Sequence, residues 1–265
     1  LRIEIQLQPS RLPFSLPASY SYLLTSLIYR TLERSSSEYS TFLHERGYGS
    51  ERPFKLFTFS PLLLPNRAFH YEKEQLWIDA RRLRWQISSP MREFVEHLAQ
   101  GLLSQGEIEL GREDERWALG IEEVRVLEPP VFRREMVFKC LAPLVLTTGS
   151  ERAGRFGAHY LRHDEAGWSE RMRANLVRKF ELVHARTLEE TDFAMEFDRA
   201  YIERRSERAY KLIDFKGTKI KGVFVPFRAM GSPELIQIGY EAGFGEKNSM
   251  GFGMAEPVES THNFT

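Results

Sequence analysis

The hydrophobic pattern of this chain switches between two periods in a set order, and that order restricts the fold more than any other feature of the sequence. Ile3, Ile5 and Leu7 alternate with Arg2, Glu4, Gln6 and Gln8, as on a half-buried strand. Pro9, Pro13 and Pro17 then interrupt regular structure. From Tyr20 the spacing lengthens, and Tyr20, Leu23, Leu24, Leu27, Ile28 and Leu32 mark one face of an amphipathic helix. A short helix over Ser37–His44 follows, stopped by Gly47 and Gly49. Strands are expected over Phe54–Ser60, Leu76–Ile78 and Leu83–Ser88. Pro90 opens a helix carrying Phe94, Val95, Leu98, Leu102 and Leu103, and Gly106 ends it before a strand from Glu107 to Leu110.

Pro129-Pro130 marks a boundary, after which the same order returns. Met136–Leu146 reads as strand, Trp168–His184 as helix, and Tyr210–Phe215 with Ile220–Val225 as strands. Ser232, Pro233 and Glu234 suit a helix start by side-chain acceptor, preset φ and negative charge, and that helix runs to Ala242. A strand over Phe252–Val258 closes the series. Strand, helix, two strands, helix, strand is the βαββαβ order of a ferredoxin-like unit. The expected fold is therefore α+β, with tandem ferredoxin-like domains over residues 1–128 and 131–265. Element order alone carries the repetition, because the halves share no close sequence repeat.

Charge excludes several functions. Thirty-seven basic residues balance thirty-seven acidic ones in 265, so an anionic partner must be met by a local patch. One such patch runs from Arg199 to Lys221, where eight basic residues face three acids; Lys216, Lys219 and Lys221 lie in it. Arg171, Arg173, Arg178 and Lys179 form a second basic stretch on the preceding helix. Patches of this kind supply phosphate affinity independent of sequence, although a solvated face paired with neighbouring acids is the usual fate of charge runs. Tyr201 and Tyr210 are placed to stack on bases or simply to pack. A single cysteine, Cys140, excludes an internal disulfide and a multi-cysteine metal cage. His159 and His163 have metal-ligand spacing for a helix but lack a third ligand. The chain has no run of about 18 apolar residues and LRIEIQLQPS is no signal core, so a cytoplasmic protein without a membrane span is expected.

Residues 243–253 read Gly-Phe-Gly-Glu-Lys-Asn-Ser-Met-Gly-Phe-Gly. Gly243, Gly245, Gly251 and Gly253 allow backbone N–H groups close to a phosphate, and Lys247, Asn248 and Ser249 add charge and hydrogen bonds. The run lacks the order of a dinucleotide fingerprint and the Gly-Lys-Ser/Thr ending of a P-loop. A tight helix-to-strand turn accounts for its glycines equally well.

This string closely resembles the C-terminal glycine-rich loop of the CRISPR-associated endoribonucleases that cut repeat RNA into guides, members of the RAMP superfamily. Further matches keep the same order: Phe42-Leu43-His44 with Gly47-Tyr48, Phe54 to Ser60, Ile87 to Pro90, and Lys216-Gly217-Thr218 with Ile220-Lys221-Gly222. Weaker echoes fall at Leu141-Ala142-Pro143 and over Asn175 to Phe180, so the resemblance spans nearly the whole chain. It implies two ferredoxin-like domains packed side by side and holding CRISPR repeat RNA. It also implies metal-independent cleavage that leaves a 2′,3′-cyclic phosphate and a 5′-hydroxyl. No cofactor is implied, and the glycine-rich loop, with Gly243, Gly245, Lys247, Asn248, Ser249, Gly251 and Gly253, would hold the RNA backbone. Other CRISPR effector subunits and a second copy of the chain are admissible partners. The alternative is a protein of the same build that binds repeat RNA without cutting it.

Cleavage without a metal needs a base for the 2′-hydroxyl, an acid for the 5′-oxygen, and a cation against the phosphorane. Histidine suits either proton role. His44 follows a helical region, precedes a glycine-flanked turn and matches the family's active-site histidine; a solvent-facing histidine at a helix end is the ordinary alternative. Tyr29 aligns with a tyrosine that positions phosphate or donates a proton in some members, and is otherwise a core aromatic between Ile28 and Leu32. Lys55, read as a strand residue between Phe54 and Leu56, would reach the scissile phosphate as a point charge.

Overall fold

Alternation along β1 (Arg2–Pro9) buries Ile3, Ile5 and Leu7, and the sheet of the first half is built around this strand. The computed structural model describes residues 1–258 except 52, 113–114 and 153–154. The chain divides into two compact units, Leu1–Pro129 with Ser249–Gly251, and Pro130–Asn248 with the residues from Phe252 onward.

In the first unit β1 is followed by β2 (Phe14–Pro17), α1 (Ser21–Ser35) and α2 (Ser37–Thr41). Then come β3 (Thr58–Phe59), β4 (Phe69–Glu72), β5 (Gln75–Ile78), β6 (Leu83–Ser88), α3 (Arg92–Leu103), β7 (Glu107–Arg112) and β8 (Glu115–Leu127). An antiparallel sheet runs β3-β6-β1-β8-β7, and β2-β5-β4 form a smaller one. Taking β1, α1, β3, β6, α3 and β8 in sequence recovers the ferredoxin-like order, with β7 added at the edge. Leu23, Leu24, Leu27, Ile28 and Leu32 of α1 and Phe94, Val95, Leu98 and Leu102 of α3 pack into one core with Ile3, Ile5, Trp85 and Ile87 of the sheet. The other face of β1 carries Glu4, buried between Arg125 at 2.6 Å and Arg84 at 3.3 Å, with Gln86 donating at 2.9 Å.

The second unit holds β9 (Glu135–Cys140), β10 (Thr147–Arg152), β11 (Arg155–Tyr160), α4 (Trp168–His184), β12 (Phe193–Phe197) and α5 (Arg199–Arg204). After these come β13 (Tyr210–Phe215), β14 (Thr218–Val223), β15 (Phe227–Gly231), α6 (Pro233–Ala242) and β16 (Ala255–Pro257). Its sheet order, β12-β15-β9-β16, is again ferredoxin-like, while β10-β11 and β13-β14 stand as separate hairpins. Met172, Leu176 and Phe180 of α4 and Leu235, Ile236 and Ile238 of α6 are buried with Phe138 and Phe227 of the sheet.

Four expectations need correction. Phe54–Ser60 is not one strand: Leu56 takes φ 52°, so only Thr58–Phe59 joins the sheet and Lys55 lies in an irregular segment. β13 and β14 pair with each other, and the sheet positions expected for them are filled by β12 and β15. Ser232 begins α6 without a side-chain cap. His159 lies in β11 and His163 in the turn after it, so their spacing is not that of one helix face; His159 Nε2 sits 2.9 Å from Glu165.

Candidate functional site

The apolar stripe of α1 fixes Tyr29 on the flank of the first core. It is half-buried beside the buried Ile28, and that burial pushes its phenol up to about 12. Its ring meets Phe57 edge-on at 6.1 Å and the His44 imidazole edge-on at 5.2 Å, 83° between planes. His44 is exposed on a π-helical turn, Phe42–Arg46, that continues α2. Gly47 N–H closes this turn by donating to Phe42 O at 2.8 Å. One extra residue per turn widens the backbone, a feature often met at functional sites.

The segment then reverses. Tyr48 and Phe54 exchange N–H···O bonds of 2.8 Å, and Lys55 Nζ donates to His44 O at 2.8 Å. Gly47 makes this possible: at φ 71° and ψ −162° it occupies a region open essentially to glycine, and a Cβ there would lie 2.6 Å from Phe54 O and 3.1 Å from Lys55 Cδ. Partial burial lowers the Lys55 pKa. The Tyr48 hydroxyl, 3.0 Å from that of Tyr39, ties the loop to α2, a pairing the sequence reading did not single out. Tyr29, His44 and Lys55 are thus brought together in the first unit by α1, a π-turn and a glycine-dependent loop.

In the second unit the glycine-rich loop is threaded by internal bonds. Phe244 N donates to Gly253 O, Gly253 N to Pro143 O and Glu246 N to Val145 O, each at 2.8 Å. Gly245 at φ 78° and Gly253 at φ 79° have no room for a Cβ, which would strike Val145 O in one case and Phe244 O in the other. Glu246 accepts from the Thr147 hydroxyl at 2.7 Å. Asn248 is buried, its Nδ2 donating to Phe252 O at 3.1 Å, so its side chain shapes the loop from within. Lys247, partly exposed, lies between these anchored residues, while Ser249 and Gly251 belong with the first unit.

Lys179 departs most from the sequence reading. It is not part of a surface patch: it is 1% exposed, and Nζ donates to Gly243 O at 2.6 Å, Gly245 O at 2.7 Å and Asn248 Oδ1 at 2.8 Å. Burial pushes its pKa down to about 7, with Glu246 acting in the opposite sense.

Lys216, Lys219 and Lys221 are exposed on the β13–β14 hairpin, whose turn has Lys216 at φ 52° and Gly217 at φ 84°. Lys219 stands opposite Asp214, and Lys221 Nζ lies 4.2 Å above the Tyr210 ring. Tyr210 also stacks with His163 at 5.2 Å, so its ring is already engaged. The Cys140 thiol is raised to about 12 by burial and donates to Val225 O, which makes it a poor nucleophile. Among the described residues no group of three or more His, Cys, Asp or Glu side chains is arranged to hold a metal ion, and no helix is long and apolar enough to cross a membrane.

Comparison with known proteins bears on both units. Residues 15–119 match the family described as CRISPR-associated protein Cas6, N-terminal, and residues 127–257 match CRISPR associated protein Cas6, C-terminal. CRISPR-associated endoribonuclease Cas6 1 of Methanocaldococcus jannaschii is 30% identical over 98% of this chain and 93% of its own length. CRISPR-associated endoribonuclease Cas6 of Pyrococcus furiosus is 29% identical over 92% of this chain and 84% of its own. A solved structure described as CRISPR associated protein Cas6 superposes with a TM-score of 0.77 at 28% identity, covering 97% of this chain and 99% of the other.

Proposed function

The chain belongs to the Cas6 family of CRISPR-associated proteins, and from that premise we propose that it is an endoribonuclease that cuts CRISPR repeat transcripts into guide RNAs without a metal ion. The observation that carries this reading is the meeting of Tyr29, His44 and Lys55, with the two rings 5.2 Å apart and Lys55 Nζ bonded to the backbone of His44. An exposed imidazole, a phenol and an ammonium are the base, proton donor and cation that the reaction calls for.

In this mechanism His44 takes the proton of the 2′-hydroxyl, and the freed oxygen attacks the adjacent phosphorus. The bond from phosphorus to the 5′-oxygen breaks, and that oxygen leaves with a proton. The products are a 2′,3′-cyclic phosphate and a 5′-hydroxyl. Tyr29, whose phenol burial holds at about 12, keeps its proton at neutral pH and serves as donor to the phosphate and leaving oxygen. Lys55 offsets the charge gathering on the phosphorane. The lysines of the β13–β14 hairpin and the glycine-rich loop hold the RNA by its phosphates.

Single-turnover cleavage of the host repeat RNA in excess EDTA tests the reading. A cyclic-phosphate product, with His44→Ala slowed at least ~100-fold but still binding, is the expected outcome. Tight binding with no cleavage by either protein, even with a divalent metal supplied, would leave an RNA-holding protein instead. Equal cleavage by both would keep the ribonuclease and discard this active site.

A further inference from the structure

Lys179 has no part in the chemistry above, yet it is buried among oxygens of the glycine-rich loop, one of the two segments given to RNA binding. Its three bonds reach Gly243 and Gly245 at the start of the loop and Asn248 at its middle. The Asn248 amide carries the connection onward to Phe252 O. None of these three acceptors is a carboxylate, so loop dipoles contact the ammonium directly, and the Glu246 carboxylate adds its charge from farther along the same loop. An arrangement of this kind is costly for a lysine unless the enclosed shape matters.

A strained position lies between those anchors. Lys247 takes φ 57°, a left-handed conformation unfavourable for a residue with a Cβ. Its neighbours on both sides are pinned, Glu246 by Thr147 and Val145 and Asn248 by Lys179 and Phe252. The strain persists because the surroundings over-determine it, and it sets the direction in which the partly exposed Lys247 side chain leaves the loop.

We propose that Lys179 is a positioning residue for RNA binding: through Asn248 it holds Lys247 in its left-handed conformation and so presents the Lys247 ammonium to a phosphate of the repeat RNA. This rests on the repeat-RNA reading and adds an inner lysine that never touches the nucleic acid. Its action is therefore conditional on the outer lysine, whereas a lysine that only stabilised the fold would act independently of it.

A double-mutant cycle for affinity separates the two roles. Labelled repeat RNA is titrated into His44→Ala protein, which is disabled for cleavage, carrying Lys179→Met, Lys247→Ala or both, with thermal unfolding recorded for each. Each single change is expected to weaken binding on the order of tenfold, and the double variant no more than about twice as much as the weaker single variant. Unaltered affinity in folded Lys179→Met protein overturns the proposal, as does a double variant weakened by the product of the two single effects. Lys179→Gln, which keeps a donor but not the charge, replaces the methionine variant should that one fail to fold; wild-type affinity in it likewise overturns the proposal. Absence of repeat-RNA binding by the His44→Ala parent and the wild type alike would overturn the functional reading, and the proposal with it.

Discussion

Gly47→Ala puts the geometry of the Lys55 loop to a quantitative test without touching a chemical group. At φ 71° and ψ −162° an alanine costs about 1–3 kcal/mol in backbone strain alone. Its Cβ would stand 2.6 Å from Phe54 O, where ordinary contact begins at 3.4 Å, so the Tyr48–Phe54 bridge must give way by about 0.8 Å. Lys55 follows Phe54 directly, and its Cδ and Nζ lie 3.1 and 3.3 Å from the same point, so the movement is passed to the ammonium bonded to His44 O. Misplacement of about 1 Å at a catalytic group is worth on the order of 100-fold in rate. Strain of about 2 kcal/mol lowers the unfolding temperature of a chain this size by roughly 4–8 °C. Thermal unfolding and single-turnover cleavage at saturating repeat RNA, both well below the transition, measure the two effects. A variant that loses stability but cuts at the wild-type rate would refute the role given to Lys55. One unchanged in both would refute the loop geometry itself.

Tyr29→Phe keeps the ring against His44 and Phe57 and removes only the hydroxyl, so single-turnover cleavage should fall about 100-fold or more while RNA affinity changes little; an unchanged rate would return Tyr29 to a packing role. Lys179 predicts a pH dependence of stability, since its folded pKa is about 7 against an ordinary 10.5. Between those values the unfolded chain binds the extra proton, so stability rises with pH across this window, by up to about 1.4 kcal/mol per unit, and is lost again as pH falls to 7. Lys179→Met should flatten that slope in chemical denaturation; parallel curves for the two proteins would mean that the three loop oxygens hold the ammonium near its ordinary pKa.

What was legible in the sequence follows from which interactions are local. α4 is found over the expected span because Trp168, Met172, Leu176 and Phe180 recur on one face and all are buried. β8 carries no readable strand signal, although it pairs with β1 and β7, because Leu119 is its one buried position and no clean alternation survives. Alternation does mark β13 and β14 as strands, but it carries no information about partners, and these two pair with each other. The turn of backbone at Leu56 has no sequence signal at all, since leucine is an ordinary strand residue. Of the candidate site, the three residue types and their order were readable, while the π-turn and the loop that bring them together were not.

Lys179 shows where a signal was present but assigned to the wrong cause. It follows Met172 by seven positions and Leu176 by three, which places it on the apolar face of α4, and the helix period alone therefore puts it inside. Its charge groups it with Arg171, Arg173 and Arg178, but its position on the helix sets it apart from them. A lysine on a buried helix face needs oxygen acceptors from elsewhere in the chain. In this sequence the glycine-rich segment is the place where backbone carbonyls can turn inward without side chains obstructing them, since Gly243 and Gly245 have φ of 89° and 78°. The two features are 64 residues apart and unremarkable separately, but each supplies what the other lacks: a cation without acceptors, and a strained loop without a core. The glycines are thus required for the closure of carbonyls on an ammonium within, and under the proposed function they also admit a phosphate from outside.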